Sequence, residues 1–192
     1  MKISIITSCR GFVSPTTIES VKNQTYKDFE WIVVYDGFTD GANFFPSSTF
    51  PDNTKTAQLG NNYGPSVARN VGFQISDGDV IAYLDSDDEL HPKALANISD
   101  AFTSTENLQM LFGSYYIVEG GKSILYNQGY NAGHLPMMTF INSQNISIPM
   151  GVSHKRKHFV ECGGFQRGIV CGEDGILWRR MIERMGKGED VS

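Results

Sequence analysis

Three short, almost uninterrupted apolar runs, at residues 2–7, 29–35 and 80–84, constrain the fold most, because each is bounded by turn signals and stretches with helical spacing lie between them. After the first run, Ser14 and Pro15 supply an N-cap and a first helical position for a helix carrying Ile18 and Val21. Asp36 and Gly37 stop the second run with a turn pair. Before the third, Val67, Val71 and Ile75 recur at helical spacing over 66–75, between a turn at 61–65 and Gly78. Strands with so little alternation are buried on both faces, so the pattern predicts an α/β fold: a mainly parallel central sheet flanked by helices. Ligands of such sheets collect beyond the carboxyl ends of the strands, where Thr7, Asp36 and Asp85 stand.

The second half reads differently. A helix to about 102, a strand-like run over 108–118, a turn at Gly120 and Gly121 and a return strand over 123–126 predict a smaller mixed or antiparallel portion. Helices are expected over 155–162, stopped by Gly163 and Gly164, and over 173–185, with Ile176, Leu177, Met181, Ile182 and Met185 apolar. Residues 40–54 read as a long loop. Residues 127–149 show little periodicity; Tyr130, Met137, Met138 and Phe140 read as packing, with an acceptor-contacting loop as the sharper alternative. A chain of 192 residues with 40% hydrophobic composition fits one domain over 1–192.

A net charge of -5 and the absence of a long basic block argue against nucleic-acid binding. The lone basic cluster, Lys155, Arg156 and Lys157, reads as a solvated helix face, with phosphate or membrane-headgroup contact as the alternative. Cys9, Cys162 and Cys171 are odd in number and lack a CxxC pair, which points to reduced thiols. The four histidines fit no ligand spacing. No apolar stretch approaches the roughly 20 residues that span a bilayer, so the expectation is a cytoplasmic chain, with peripheral attachment at the inner membrane face as a further option.

Asp85, Ser86, Asp87 and Asp88 crowd where the third run emerges. Like charges so close disfavour joint ionisation, and a divalent cation held through oxygen relieves that cost. In extended chain Asp85 and Asp87 share a face, so one could hold a metal and the other a ligand hydroxyl. The alternative is a solvated acidic turn, with Asp88 capping the helix that His91 and Pro92 announce.

The ordered blocks at 4–9, 18–26 (IESVKNQTY), 36–40 (DGFTD), 64–72 (GPSVARNVG), 84–88 (LDSDD), 163–165 (GGF) and 172–174 (GED) resemble the family 2 glycosyltransferases, nucleotide-diphospho-sugar transferases with a GT-A fold. The resemblance spans nearly the whole chain, and implies a nucleotide-binding half over 1–104 and an acceptor-side half over 105–192. It implies an inverting enzyme that moves a hexosyl or N-acetylhexosaminyl group from a nucleotide-diphosphate sugar, read as a UDP-sugar. The receiver would be a hydroxyl of a carbohydrate or lipid-linked acceptor, in polysaccharide or glycoconjugate synthesis, with Mn2+ or Mg2+ as cofactor. Asp36 would accept a hydrogen bond from the base, Thr7 would lie beside it, and Arg69 would face the base or pyrophosphate. Asp85 would address the ribose and Asp87 the metal. Asp174 would be the general base, Glu173 would orient it or the acceptor, and Arg179 or Arg180 would approach the diphosphate. Cys9 departs from the aromatic residue common near the end of the first strand, and Tyr35 and Phe38 replace polar residues around Asp36. The chain ends soon after the helix of Asp174, which reads as a minimal or truncated catalytic domain. The alternatives are a nucleotide-sugar-binding module without turnover and a nucleotidyltransferase, although Cys9, Arg10 and Gly11 form no Gly-rich phosphate loop.

Overall fold

Along each apolar run, successive side chains point to opposite sides, and both sides must be covered. The computed structural model, which describes residues 1–37, 49–120, 122–126, 151–169 and 171–186, shows how. Strands β1 (Ile3–Cys9), β2 (Phe29–Asp36), β3 (Thr54–Leu59), β4 (Val80–Tyr83), β5 (Met110–Phe112) and β8 (Val152–Lys155) form one sheet in the order β3-β2-β1-β4-β8-β5. The first four are parallel; β8 runs antiparallel to β4 and β5. Strands β6 (Tyr115–Glu119) and β7 (Lys122–Tyr126) make a separate antiparallel hairpin.

Helices α1 (Pro15–Lys22) and α3 (Ala94–Ser104) contribute Ile18, Val21, Leu95 and Phe102 to a core with Ile3, Ile5, Trp31, Val33, Val80 and Ala82. On the other face Ile6, Ile32, Val34, Ile81 and Tyr83 pack with α2 (Pro65–Ile75), α4 (Arg156–Glu161) and α5 (Glu173–Gly186) through Ala68, Phe159, Leu177, Trp178 and Met181. Each such large apolar side chain contributes about 1.5–3 kcal/mol by leaving water. Gly72 lets α2 lie close on the sheet: a Cβ there would stand 2.6 Å from Cγ2 of Ile6.

Several elements differ from the sequence reading. The pattern of β3 is too polar to announce a strand because β3 is the sheet edge, with only Ala57 and Leu59 packed inward. The single run expected over 108–118 divides at Gly113 and Ser114, since β5 joins the main sheet and β6 the hairpin. Strand β8 went unseen because its buried Ser153 and His154 look like surface residues; the Tyr83 hydroxyl lies 2.9 Å from Nε2 of His154, and burial lowers the imidazole pKa to about 3. Helix α3 starts at Ala94 with Lys93 as N-cap, so Asp88 does not cap it. Arg156 is no solvated helix residue. Its guanidinium donates to the Gly78 carbonyl (2.6 Å) and the Ser76 hydroxyl (2.6 Å) at the end of α2 and lies over the Phe73 ring. Phe38, Tyr130, His134, Met137, Met138 and Phe140 lie outside the described residues. Among the described residues no helix is long and apolar enough to cross a membrane.

Below the sheet, buried Glu30 accepts from the Ser4 hydroxyl (2.6 Å) and the Asp77 and Gly78 N–H groups (2.6 and 3.3 Å), and pairs with Lys55 (2.6 Å). Burial alone would raise its pKa, but the Asp77 N–H, Lys55 and Ser4 outweigh burial and hold it below the ordinary carboxylate range. The hydrogen bond from Lys2 holds Asp77 at about 2. Both shifts are downward, so this network stabilises the fold above the unfolded carboxylate pKa of about 4 and is lost as pH falls through the lower folded values. Urea midpoints are therefore expected to decline between pH 5 and pH 2, and Glu30→Gln to flatten that decline.

Candidate active site

The first turn of α1 positions the aspartate loop. Ser14 caps that turn by accepting from the Thr17 N–H (3.0 Å), while its own N–H donates to the Ser86 carbonyl (2.7 Å). The Thr17 hydroxyl donates to the Ser86 and Asp88 carbonyls at 3.1 and 2.7 Å. The Ser86 and Asp88 carbonyls are thus occupied, while Asp85 is partly exposed and Asp87 exposed. Burial, reinforced by the charges of Asp85 and Asp87, pushes the Asp88 pKa up to about 6. Crowded carboxylate oxygens of this kind suit a hard divalent cation. No three ligating side chains converge among the described residues, so a cation at Asp87 would draw most of its ligands from water or a bound anion.

Arg69, on α2, joins this loop to the start of α5. Its Nη1 donates to Oε1 of Glu173 (2.7 Å), its Nη2 to Oδ1 of Asp85 (3.3 Å), and its guanidinium lies 5.5 Å from the Phe165 ring centroid. Next to it, the Asn70 side-chain amide donates to the Phe165 carbonyl (2.8 Å) and accepts from the Phe165 N–H (3.0 Å). Two adjacent residues therefore clamp the 163–165 turn and the first turn of α5 onto α2. Asn70 and Phe165 were not among the expected site residues, although both sit inside the ARN and GGF blocks.

Glu173 and Asp174 are buried, at 8% and 2% exposure. Oδ1 of Asp174 accepts from the Gly175 N–H (2.8 Å), whereas the buried Oδ2 has no hydrogen-bond partner among the described residues. Burial raises the Asp174 pKa and the Glu173 charge adds to the rise; the Gly175 N–H and Arg69 oppose it. Raised proton affinity makes this carboxyl a stronger base than a solvated aspartate.

Other expected residues are placed differently. Asp36 does stand at the end of β2, but its oxygens accept from the Tyr63 and Gly64 N–H groups, both at 2.8 Å, so it organises the 61–64 loop. Gly37, at φ +92, lets that loop approach: a Cβ there would lie 2.7 Å from the Asn62 nitrogen. The Thr7 hydroxyl is fully buried and accepts from Nε1–H of Trp31 (2.9 Å), so that side chain serves the core, not a ligand. Arg180 stands apart from the cluster because its guanidinium donates to the Cys162 and Gly164 carbonyls (2.9 and 2.5 Å) and holds the turn after α4. Cys9 is buried, and burial pushes its thiol up to about 11. Exposed aromatics instead sit on the loops after β1 and β3, at Phe12 (57%) and Tyr63 (55%).

The pattern of Glycosyl transferase family 2 matches residues 15–160, and the chain belongs to that family. It is 32% identical over 187 residues to an uncharacterized glycosyltransferase of Rickettsia bellii (strain RML369-C), covering 95% of this chain and 26% of that protein. It is 33% identical over 129 residues to the poly(ribitol-phosphate) beta-N-acetylglucosaminyltransferase TarP of Staphylococcus aureus (strain N315), covering 64% of this chain and 39% of TarP. The crystal structure of S. aureus TarS 1-349 superposes with a TM-score of 0.76 at 20% identity, covering 95% of this chain and 55% of that one. The mannosyltransferase PcManGT of Pyrobaculum calidifontis, in complex with GDP-Man and Mn2+, superposes with a TM-score of 0.65 at 17% identity, covering 93% and 51%. The fold is GT-A. The chain spans about a quarter of the Rickettsia relative and about half of the TarS structure.

Two substitutions test these electrostatics. Arg69→Ala strands Glu173 without its buried partner and is expected to cost about 3–5 kcal/mol in urea unfolding. Asp174 has a raised pKa, so its ionised form is penalised in the fold and stability falls as pH rises through the raised value. Asp174→Asn is therefore expected to melt higher than the wild type at pH 7, with the difference closing in acid.

Proposed function

We propose that the chain catalyses inverting transfer of a hexosyl or N-acetylhexosaminyl group from a UDP-sugar to a hydroxyl of a carbohydrate or lipid-linked acceptor. The observation that carries this reading is Asp174: a buried acid of raised pKa, with one oxygen lacking a partner, joined through Glu173 and Arg69 to the donor-facing Asp85. Family membership supports sugar transfer, and the UDP-sugar is favoured because TarS 1-349 has been crystallised with UDP and with UDP-GlcNAc.

In this mechanism the Asp174 carboxylate accepts the proton of the acceptor hydroxyl. The freed oxygen attacks the anomeric carbon on the face opposite the diphosphate, a C–O bond forms as the bond to the diphosphate breaks, and the configuration inverts. Partial desolvation makes the carboxylate a stronger base than it would be at a solvated helix start, where the helix dipole favours its charge. Asp85 accepts from a ribose hydroxyl, and Asp87 is the protein ligand for a divalent ion. Mn2+ or Mg2+ bound there would supply positive charge to the diphosphate oxygens. The Asp36-held loop carrying Tyr63 borders the space for the base, and Arg69 acts from behind the donor.

Calorimetry tests the donor half. UDP is expected to bind with Mn2+ and far more weakly without it, and Asp87→Ala to abolish the metal dependence; metal-independent binding would overturn the assignment. In Asp174→Asn, UDP affinity is expected to persist while turnover drops about 10²–10⁴-fold, the usual worth of a general base. Donor binding with no transfer or hydrolysis across a broad acceptor panel would favour a nucleotide-sugar-binding module instead.

A further inference from the structure

Arg69 is the charged residue on which three parts of the described structure meet. It rises from α2, is 5% exposed, and meets one carboxylate at the start of α5 and another at the end of β4, with the Phe165 ring beside it. At that burial the guanidinium is turned to its own protein and not to solvent. Neither partner is a helix cap or a surface ion pair. Glu173 is buried, and its neighbour in sequence is the acid proposed as base.

We infer that Arg69 is a positioning residue: with one nitrogen on Glu173 and another on Asp85, it fixes the acid-bearing first turn of α5 against the end of β4, holding base and donor in register. The role assigned to that register rests on the transfer reading above; the bridge does not. A planar fork suits the task because it engages two carboxylates at once, which a lysine ammonium on a flexible stem does poorly.

The bridge also has an electrostatic signature. Among the described residues, the charged groups that act on Asp174 are Glu173 from its own helix, which favours protonation, and Arg69 from α2, which opposes it; Asp85 reaches the group through Arg69. Removing Arg69 and removing the Glu173 charge should therefore move the Asp174 titration in opposite directions, an outcome that generic loosening of the fold would not produce.

The test uses the full chain carrying ¹³C-labelled carboxyl groups, with the Asp174 signal assigned by its loss in Asp174→Asn. Arg69→Gln is expected to raise the Asp174 midpoint and Glu173→Gln, which keeps the side-chain shape, to lower it. Amide exchange at Ile176, whose N–H donates to the Gly172 carbonyl at 3.2 Å, reports the order of the turn. It should quicken about tenfold in Arg69→Lys, the worth of one charge-assisted hydrogen bond, while exchange in α3 stays at the wild-type rate. If Arg69→Gln does not fold, Arg69→Lys and Glu173→Gln decide the matter. Midpoints that move in the same direction, an unmoved midpoint in Glu173→Gln, or unchanged Ile176 exchange in Arg69→Lys would each overturn the inference. UDP calorimetry with Mn2+ on the same samples is read separately: failure of the wild type to bind UDP removes the proposed donor without touching the bridge.

Discussion

The contact between Arg69 and its two carboxylates organises the upper end of the molecule. A guanidinium taken out of water is costly unless its charge is matched, and Glu173 and Asp85 match that charge, each accepting one of its hydrogen bonds. Satisfying it requires α5 to begin next to the end of β4, although 88 positions in the sequence separate Asp85 from Glu173. Asn70 reinforces the arrangement by treating the Phe165 peptide as a strand would, donating to its carbonyl and accepting from its N–H. Packing of Leu177, Trp178 and Met181 against Tyr83 and Ile81 provides the apolar part of the same join.

The two ends of the sheet treat buried acids in opposite ways. At the lower end, Glu30 is surrounded by a hydroxyl, two N–H groups and lysines, and its carboxylate is stabilised in the charged form. At the upper end, Asp174 has one hydrogen bond and an oxygen without a partner, and Asp88 sits among like charges. An arrangement that destabilises charge persists only where the rest of the fold supports it, which is a property of sites rather than of scaffolds. The contrast separates acids held in the charged form from acids whose charge is penalised.

Much of the N-terminal half was legible because it depends on local rules. Ser14 followed by Pro15 starts α1, helical spacing over 66–75 announces α2 although its packed face runs through Ala68, Val71 and Gly72 with Ile75 exposed, and three apolar runs announce β1, β2 and β4. The strands that escaped notice violate those rules for tertiary reasons. β3 needs only one inward-facing side because it ends the sheet, and β8 can bury Ser153 and His154 because β4 and Tyr83 are there to receive them. Asp85, Asp87 and Asp174 could be put forward for a site by residue type and position. Nothing local shows that Arg180 donates to the Gly164 carbonyl or that Thr7 accepts from the Trp31 indole.

The amino-acid sequence by itself determined the layered α/β architecture and family, and the crowding of acids at the end of β4, because periodicity, turn chemistry and charge spacing act over a few residues. Only the tertiary structure decided what each charge does. That Arg69 meets two carboxylates, that Asp36 holds the 61–64 loop, and that Asp174 is buried all depend on segments distant in sequence. Burial and hydrogen-bond partners set proton affinity and availability, and neither is a property of the residue alone.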